Sequence, residues 1–403
     1  MVSKLPKLRF KEFTMGWTQS KLGELGQTIS GLTYSPVNVV DKGLLVLRSS
    51  NIKDNSITYD DNVYVDLEVS EENLSKEDDI LICVRNGSRA LIGKSALIPK
   101  GIKYATHGAF MSVLRTKHPH FIFQLLQTRQ FRKLVHRDLG ATINSINGKN
   151  LLKYKFFLPK DTKEIEKISN FLTSVDQKIS LLKEKRDLLT QYKKGVMQKL
   201  FKQEIRFKDD SGNEFPDWKF RKFSEVLSLS INPINMGDNE QYELITVRRR
   251  NGGVVSRGHY KGSEVLVKTQ FRLSANQFVI SKRQIVHGAC GIVPATLDGA
   301  IVSNEYNVFD VNTDSLDVNF FNYYSMTKEM KRAYYINSDG VHIEKLLFKT
   351  QSWLKTLMPF PCVEEQKKIV SFIEILSSKI SLLENQIELT EKFKKGLLQK
   401  MFV

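Results

Sequence analysis

The sequence predicts an α+β protein: two α/β-type globules joined by two long helices, the helices pairing antiparallel as a coiled coil about a pseudo-twofold internal repeat. Three observations predict it. The 403-residue chain repeats its frame at an offset of 201 residues, and each repeat ends in about 39 residues with apolar positions three and four apart. The stretch ahead of each such segment consists of short apolar runs broken by Gly, Pro, Asn and Asp, as strands and turns require.

Lys163–Phe201 aligns with Glu364–Phe402 without a gap, with 16 identities in 39 positions. The segments Lys178–Leu182 and Lys379–Leu383 coincide in full, as do Lys193–Gly195 and Lys394–Gly396. The same offset carries Trp17 onto Trp218, Lys21 onto Lys222 and Glu24 onto Glu225. Upstream, Leu8–Lys11 matches Ile205–Lys208 after a four-residue insertion around Ser211–Gly212. The boundaries this sets are 1–160 and 204–362 for the globules, 161–203 and 363–403 for the helices. Residues 26–150 and 227–350 share length and composition but little sequence. Drift after duplication is one account of that contrast. The other is a common frame doing one task while two unlike inserts recognise different things.

The first helix places Ile168, Leu172, Val175, Ile179, Leu182 and Leu189 at seam spacing, followed by Tyr192. The second does so with Ile369, Ile373, Leu376, Ile380, Leu383 and Ile387, followed by Phe393. Pro159 and Pro361 precede the helices, and Asp161 with Glu164 reads as a capping pair. A helix of this length spans about 58 Å, so an antiparallel pair is expected to act as a ruler between the globules. Gly195 and Gly396 read either as helix ends or as points where another helix comes close. Arg186 stands where the other repeat has Ile387 and reads as a solvated interruption.

In the globules, Gly43–Ser49, Asp79–Val84, Leu91–Ile98 and Phe110–Arg115 are predicted strands, and Phe121–Leu134 a helix. The second half repeats the theme with strands at Tyr242–Val247, Phe278–Ile280, Gly291–Pro294 and Ile301–Phe309, and a helix at Val318–Ala333.

Charge narrows the function. With 61 Lys+Arg against 44 Asp+Glu the net charge is +17, which calls for a polyanionic partner. The helices hold about +5, leaving +12 on the globules, where Lys and Arg can neutralise phosphates. Basic and amide side chains gather in loops after predicted strands: Arg48; Arg85, Asn86, Ser88, Arg89 and Lys94; Arg248, Arg249 and Arg250; Arg283 and Gln284. Arg and Lys fork onto guanine, Asn and Gln onto adenine, so these residues are the candidate DNA contacts. His107 and His287, each before a glycine, join them as candidate polar readers. Cys83, Cys290 and Cys362 are too scattered for a disulfide scaffold or a CxxC zinc site, and fit a reducing cytoplasm. The opening MVSKLPKLRF lacks the apolar run of a signal peptide, and no run approaches a membrane span.

Catalytic signatures are missing from the sequence. Gly87–Ser95 imitates a phosphate loop but has five residues between its glycines instead of four, and a short, Pro-terminated segment follows. No GxGxxG opens a helix, and the histidines have no acidic or Cys partner at metal-ligand spacing. No catalytic residue and no metal site is predicted, and no cofactor in this chain.

Two variable globules, each followed by a K-I-x-x-F/I…K-I-x-L-L…K-K-G-x-x-Q-K-x-F helix, resemble the specificity (S) subunit of type I restriction-modification systems. The openings match too: Leu8-Arg9-Phe10…Gly16-Trp17…Lys21-Leu22-Gly23-Glu24-Leu25 and Ile205-Arg206-Phe207…Pro216-Asp217-Trp218…Lys222-Phe223. So does Pro361-Cys-Val-Glu364-Glu365-Gln366 at the second helix start, whereas Pro159–Ile165 lacks the Gln. The resemblance implies two target-recognition domains, each reading half of a split, asymmetric site in double-stranded DNA, with the paired helices setting the unread spacer. It implies two modification (M) subunits that hold S-adenosylmethionine and methylate adenine at N6, and two restriction (R) subunits using ATP and Mg. The chain itself would be a non-catalytic recognition subunit, cytoplasmic and without membrane contact. The family's base-reading residues lie in the divergent inserts, so none carries over. Two other readings compete. One is an enzyme, a nuclease or methyltransferase acting alone. The other is a non-catalytic coiled-coil scaffold with non-specific nucleic-acid binding.

Overall fold

The structure, a computed structural model, describes residues 3–139, 144–343 and 346–403. It divides into two compact units, Met1–Lys185 with Leu383–Val403, and Arg186–Leu382. The division falls inside both long helices, so each unit owns a globule, the start of one helix and the end of the other.

The first unit contains strands β1 (Trp17–Lys21), β2 (Gly26–Ser30), β3 (Leu44–Leu47), β4 (Ile80–Cys83), β5 (Ser95–Leu97), β6 (Ala105–His107), β7 (Met111–Thr116) and β8 (Lys155–Leu158), with helices α1 (Pro119–Leu126) and α2 (Arg129–Asp138). An antiparallel sheet runs in the order β5-β4-β7-β2, and in a second sheet β3 and β6 pair in parallel, Leu45 opposite Ala105. β8 pairs antiparallel with β1. β3 and β4 are buried at every residue, which is why each is an unbroken apolar run and not an alternating one. Helix α3 (Thr162–Phe201) follows.

The second unit contains β9 (Lys219–Lys222), β10 (Leu227–Leu229), β11 (Gln241–Val247), β12 (Val254–Lys261), β13 (Phe278–Ser281), β14 (Cys290–Ile292), β15 (Ile301–Ser303), β16 (Tyr306–Val311), α4 (Val318–Tyr324), α5 (Lys328–Ile336), β17 (Leu357–Phe360) and α6 (Val363–Met401). Its sheets repeat the first unit: β10-β16-β13-β14 antiparallel, β11 parallel to β15 and β9 paired with β17. Two dissimilar inserts thus share one four-stranded sheet order and one parallel pair, while the sheet holding that pair has four strands in the first unit and five in the second.

Several elements differ from the sequence reading. The predicted helix over Phe121–Leu134 is two helices, because Thr128 caps α2 by accepting a hydrogen bond from the Phe131 amide at 3.3 Å. Thr327 divides Val318–Ala333 in the same way, accepting from Met330 at 3.2 Å. Ile301–Phe309 is two strands, β15 and β16, and of Leu91–Ile98 only Ser95–Leu97 is strand. Strand β12 lies outside the predicted strands, its glycine and charges interrupting any apolar run. Neither long helix stops at its glycine, and a Cβ on Gly195 or Gly396 would meet nothing within 4 Å.

The cores explain the frame. In the first unit Trp17, Phe121, Phe131 and Phe156 pack with Ile165, Ile168, Leu172 and Val175 of α3, with Leu397 and Met401 of α6 and with Phe402 just after it. Phe402 sits 5.4 Å from Phe121 and 6.3 Å from Trp17, ring centre to ring centre. In the second unit Phe201 stacks on Tyr324 at 5.6 Å, and Trp218, Phe320, Ile369 and Ile373 share that core. Truncating such a buried aromatic costs about 3–5 kcal/mol. The repeated spelling of the two helix ends is therefore core spelling.

Candidate nucleic-acid interface and the helix pair

At each long-helix start a buried glutamate ties the frame together. Glu164 accepts from Arg9 Nε at 2.6 Å and Nη2 at 2.8 Å, and from the Trp17 indole N–H at 3.1 Å. Glu365 does the same with Arg206 at 3.1 and 2.8 Å and with Trp218 at 3.1 Å. Each carboxylate raises the pKa of its arginine through these hydrogen bonds, against the opposing effect of burial. Glu164 is thus a buried tie and not half of a capping pair with Asp161; the Asp161 carboxylate takes the Lys163 amide alone, at 2.9 Å. The signal lay in the repeated Arg, Trp and Glu, which the alignment displays without saying that they meet.

Within the first unit the helices run antiparallel: Lys394 meets Asp176 at 2.6 Å, and Lys183 meets Glu391 at 2.8 Å. Of the predicted seam, Ile168, Leu172, Val175, Ile369, Ile373, Leu376, Leu383 and Ile387 are buried, while Ile179, Leu182, Leu189 and Ile380 are half-buried. Tyr192 and Phe393 are more than half exposed, a correction to their seam placement. Their places inward are taken by the next residues. Lys394 donates to Gln127 Oε1 at 2.7 Å as well as to Asp176, and Lys193 donates to Ser377 Oγ at 2.7 Å. Outward, the repeat leaves matching apolar residues bare: Leu181, Leu389 and Phe393 in the first unit, Leu382, Leu188 and Tyr192 in the second. Gly396 and Gly195 stand three residues after the two aromatics, on the same helix face.

The loops after corresponding strands meet at one edge of each globule. In the first unit, Gly108 N donates to Leu47 O at 2.9 Å, and Val84 and Arg85 N both donate to Phe110 O at 3.0 Å, joining the ends of β3, β4 and β6. Gly31 allows the close approach there, since a Cβ would lie 2.0 Å from Gly108 O. In the second, Arg250 N donates to His287 O at 2.7 Å, Asn251 N to Gly288 O at 2.9 Å, and Lys282 N to Glu305 O at 3.0 Å. Gly288 has φ +73°, and a Cβ there would press within 2.7 Å of Asn251 Oδ1.

This geometry gathers Arg48, Arg85, Asn86, Ser88 and Arg89 on one edge, and Arg248, Arg249, Arg250, Arg283, Gln284 and His287 on the other. Their roles differ. Arg48 pairs with Asp61 at 2.8 Å, and Arg89 Nε donates to Asn144 at 2.9 Å. Asn86 is consumed by the fold, donating to Ser49 Oγ at 3.1 Å and accepting from the Ser88 amide at 2.9 Å. Arg283 is matched by Glu305 at 2.8 Å; Arg248 and Arg250 are exposed, with Arg250 in the left-handed region at φ +59°. Gln284 is half-buried, its amide oxygen inside.

Two candidates are corrected. His107 is 1% exposed, its Nε2 is 3.0 Å from Ile29 O, and burial lowers its pKa, so it is a packed histidine and not a reader. Lys94 turns inward, donating to Ile52 O. Among the described residues no group of three or more His, Cys, Asp or Glu is arranged to hold a metal, and no helix is long and apolar enough to cross a membrane.

A duplicated frame with a buried tie in each copy, carrying two unlike loop edges rich in arginine, defines a two-headed recognition protein. The sequence model of the type I restriction modification DNA specificity domain matches residues 15–191 and again 216–391, and the chain belongs to that family as a type I specificity subunit. It is 25% identical to the putative type I restriction enzyme MjaX specificity subunit of Methanocaldococcus jannaschii, over 97% of this chain and 94% of that one. It is 24% identical to the MjaVIII specificity subunit of the same organism, over 82% and 79%. The crystal structure of the type I S subunit from M. genitalium shares the fold at a TM-score of 0.58 and 13% identity, over 99% of both chains.

Proposed function

We propose that each globule reads one half of a split, asymmetric site in double-stranded DNA, and that the paired helices set the number of unread base pairs between the halves. The observation that carries this is one four-stranded sheet order and one parallel pair built twice, with dissimilar loops at corresponding strand ends. Identical readers would select a palindrome; unlike readers select two different half-sites.

The chemistry is borrowed. Two modification subunits bring S-adenosylmethionine and methylate adenine at N6, and two restriction subunits bring ATP and Mg, in the cytoplasm. Docking of the modification subunits is supported by the bare apolar residues that recur on both helices, Leu181, Leu188 and Tyr192 against Leu382, Leu389 and Phe393. Two equal stripes fit two copies of one partner, and a glycine with open space beside it lets a partner helix come close.

The test is to delete one heptad from both helices and map methylated adenines in cells carrying the system. Seven residues are about 10.5 Å of helix, or about 3 base pairs of duplex. The expected outcome is a spacer shortened by about that amount between unchanged half-sites. Altered half-sites with an unchanged spacer overturn the proposal.

A further inference from the structure

We infer that Arg85 and Phe110 form one base-reading element of the first unit, in which Phe110 positions the Arg85 guanidinium to fork onto a guanine. The inference rests on the duplex-reading role proposed above and names the residue pair that exerts it in one half-site.

The pair is built from two loops. Arg85 leaves β4, and Phe110 lies at the tip of the turn after β6. The Phe110 carbonyl accepts from both Val84 N and Arg85 N at 3.0 Å, Ala109 N donates to Leu32 O at 2.9 Å, and Met111 N closes the turn on Gly108 O at 2.8 Å. The backbone on either side of the pair is therefore fixed. On that base the Arg85 guanidinium lies 5.2 Å from the Phe110 ring centre. The ring is 55% exposed, whereas Phe121, Phe131 and Phe156 of the same globule are buried.

The contact with the ring engages the charge of the guanidinium and consumes none of its five N–H donors. Among the described residues Arg85 makes no ion pair, unlike Arg48 with Asp61. A planar donor edge steadied against the ring matches the O6 and N7 acceptors of guanine in the major groove. A phosphate also accepts the fork, but such a contact carries no sequence preference, so a loss confined to one base pair separates the two. The exposed Phe110 ring beside the fork offers an apolar contact to the methyl group of an adjacent thymine.

The experiment selects duplexes from a random library with the full chain, alone and co-purified with its modification subunit, for wild type, R85K, F110Y and F110L. Wild type is expected to return a bipartite site with a guanine in one half. R85K keeps the charge and is expected to lose about 5- to 150-fold discrimination at that guanine alone, the other half-site unchanged. F110Y keeps the ring and the preference; F110L keeps the bulk and loses part of it. Replacing that guanine by 7-deazaguanine removes N7 and is expected to weaken wild type while leaving R85K nearly unmoved. A bipartite site whose preferences survive R85K, or an equal loss on every sequence, overturns the Arg85 assignment and leaves the proposed function standing. Failure of wild type to select any split site overturns both.

Discussion

Removing the Glu164 carboxylate should unfold the first unit preferentially. Glu164 is 1% exposed, so Glu164→Ala takes the acceptor from the Trp17 indole N–H and the counter-charge from the Arg9 guanidinium, whose side chain is 12% exposed and whose Nη2 keeps the Met15 carbonyl at 2.6 Å. Breaking one side of a buried ion pair costs about 3–5 kcal/mol, and an orphaned indole N–H about 1–3 kcal/mol by itself. The two losses share one acceptor and do not add, so the expected total is about 3–5 kcal/mol. For a unit of about 200 residues each 1 kcal/mol moves Tm by about 2–4 °C, which gives a fall of roughly 6–20 °C. Calorimetry reports the shift, and hydrogen exchange assigns it to residues 1–185 and 383–403. The control is Glu166→Ala, two residues further on, exposed on the opposite side of the helix, and expected within about 0.5 kcal/mol of wild type. Glu365→Ala should transfer the damage to the second unit. Equal, small effects of Glu164→Ala and Glu166→Ala would refute the reasoning that the buried carboxylate holds the frame.

Leu181→Glu with Leu382→Glu, both on bare helix faces, should leave chain stability within about 0.5 kcal/mol and reduce co-purification of the modification subunit by tenfold or more; undiminished co-purification would remove the stripe from the partner interface. His107 supplies a pH dependence. Burial holds its folded pKa below the unfolded value, with Asp79 and Arg115 nearby acting in opposite directions. The neutral ring's stability is present above the unfolded pKa, near 6.5, and is lost as pH falls toward the lower folded value, by at most about 1.4 kcal/mol per pH unit. Denaturant titrations at pH 7.5 and 5.5 should show a larger loss for wild type than for His107→Gln; parallel losses would contradict the buried neutral state.

The helix pair was legible because seam residues repeat at a fixed period, and because Ile168, Leu172 and Val175 answer to Ile369, Ile373 and Leu376. Periodicity did not show where the seam ends. Tyr192 and Phe393 continue the apolar spacing, yet a lysine beside each enters the interior, since Asp176, Gln127 and Ser377 supply partners that only the folded chain brings near. Strand positions were legible where both faces are buried, as in β4, and lost where one is wet, as in β12. For the loop edges, composition located the right turns but could not sort them. Asn86 and Arg85 are neighbours with opposite fates, one consumed by a turn and one left exposed beside a ring. His107 failed for a related reason: a histidine beside a glycine looks like a loop in sequence, while its ring fills a core.

Because residues 383–403 complete the first unit, translation order and folding order part company. The unit built from residues 186–382 is continuous and can close while the ribosome is still at work. The earlier-made lobe must keep Trp17 and Phe121 unsheltered until Phe402 emerges. At about 5–20 residues per second the delay after residue 185 is roughly 10–45 s. A message cut short near its end therefore yields a protein with one finished head and one sticky one, which chaperones and proteases can recognise before it meets any DNA.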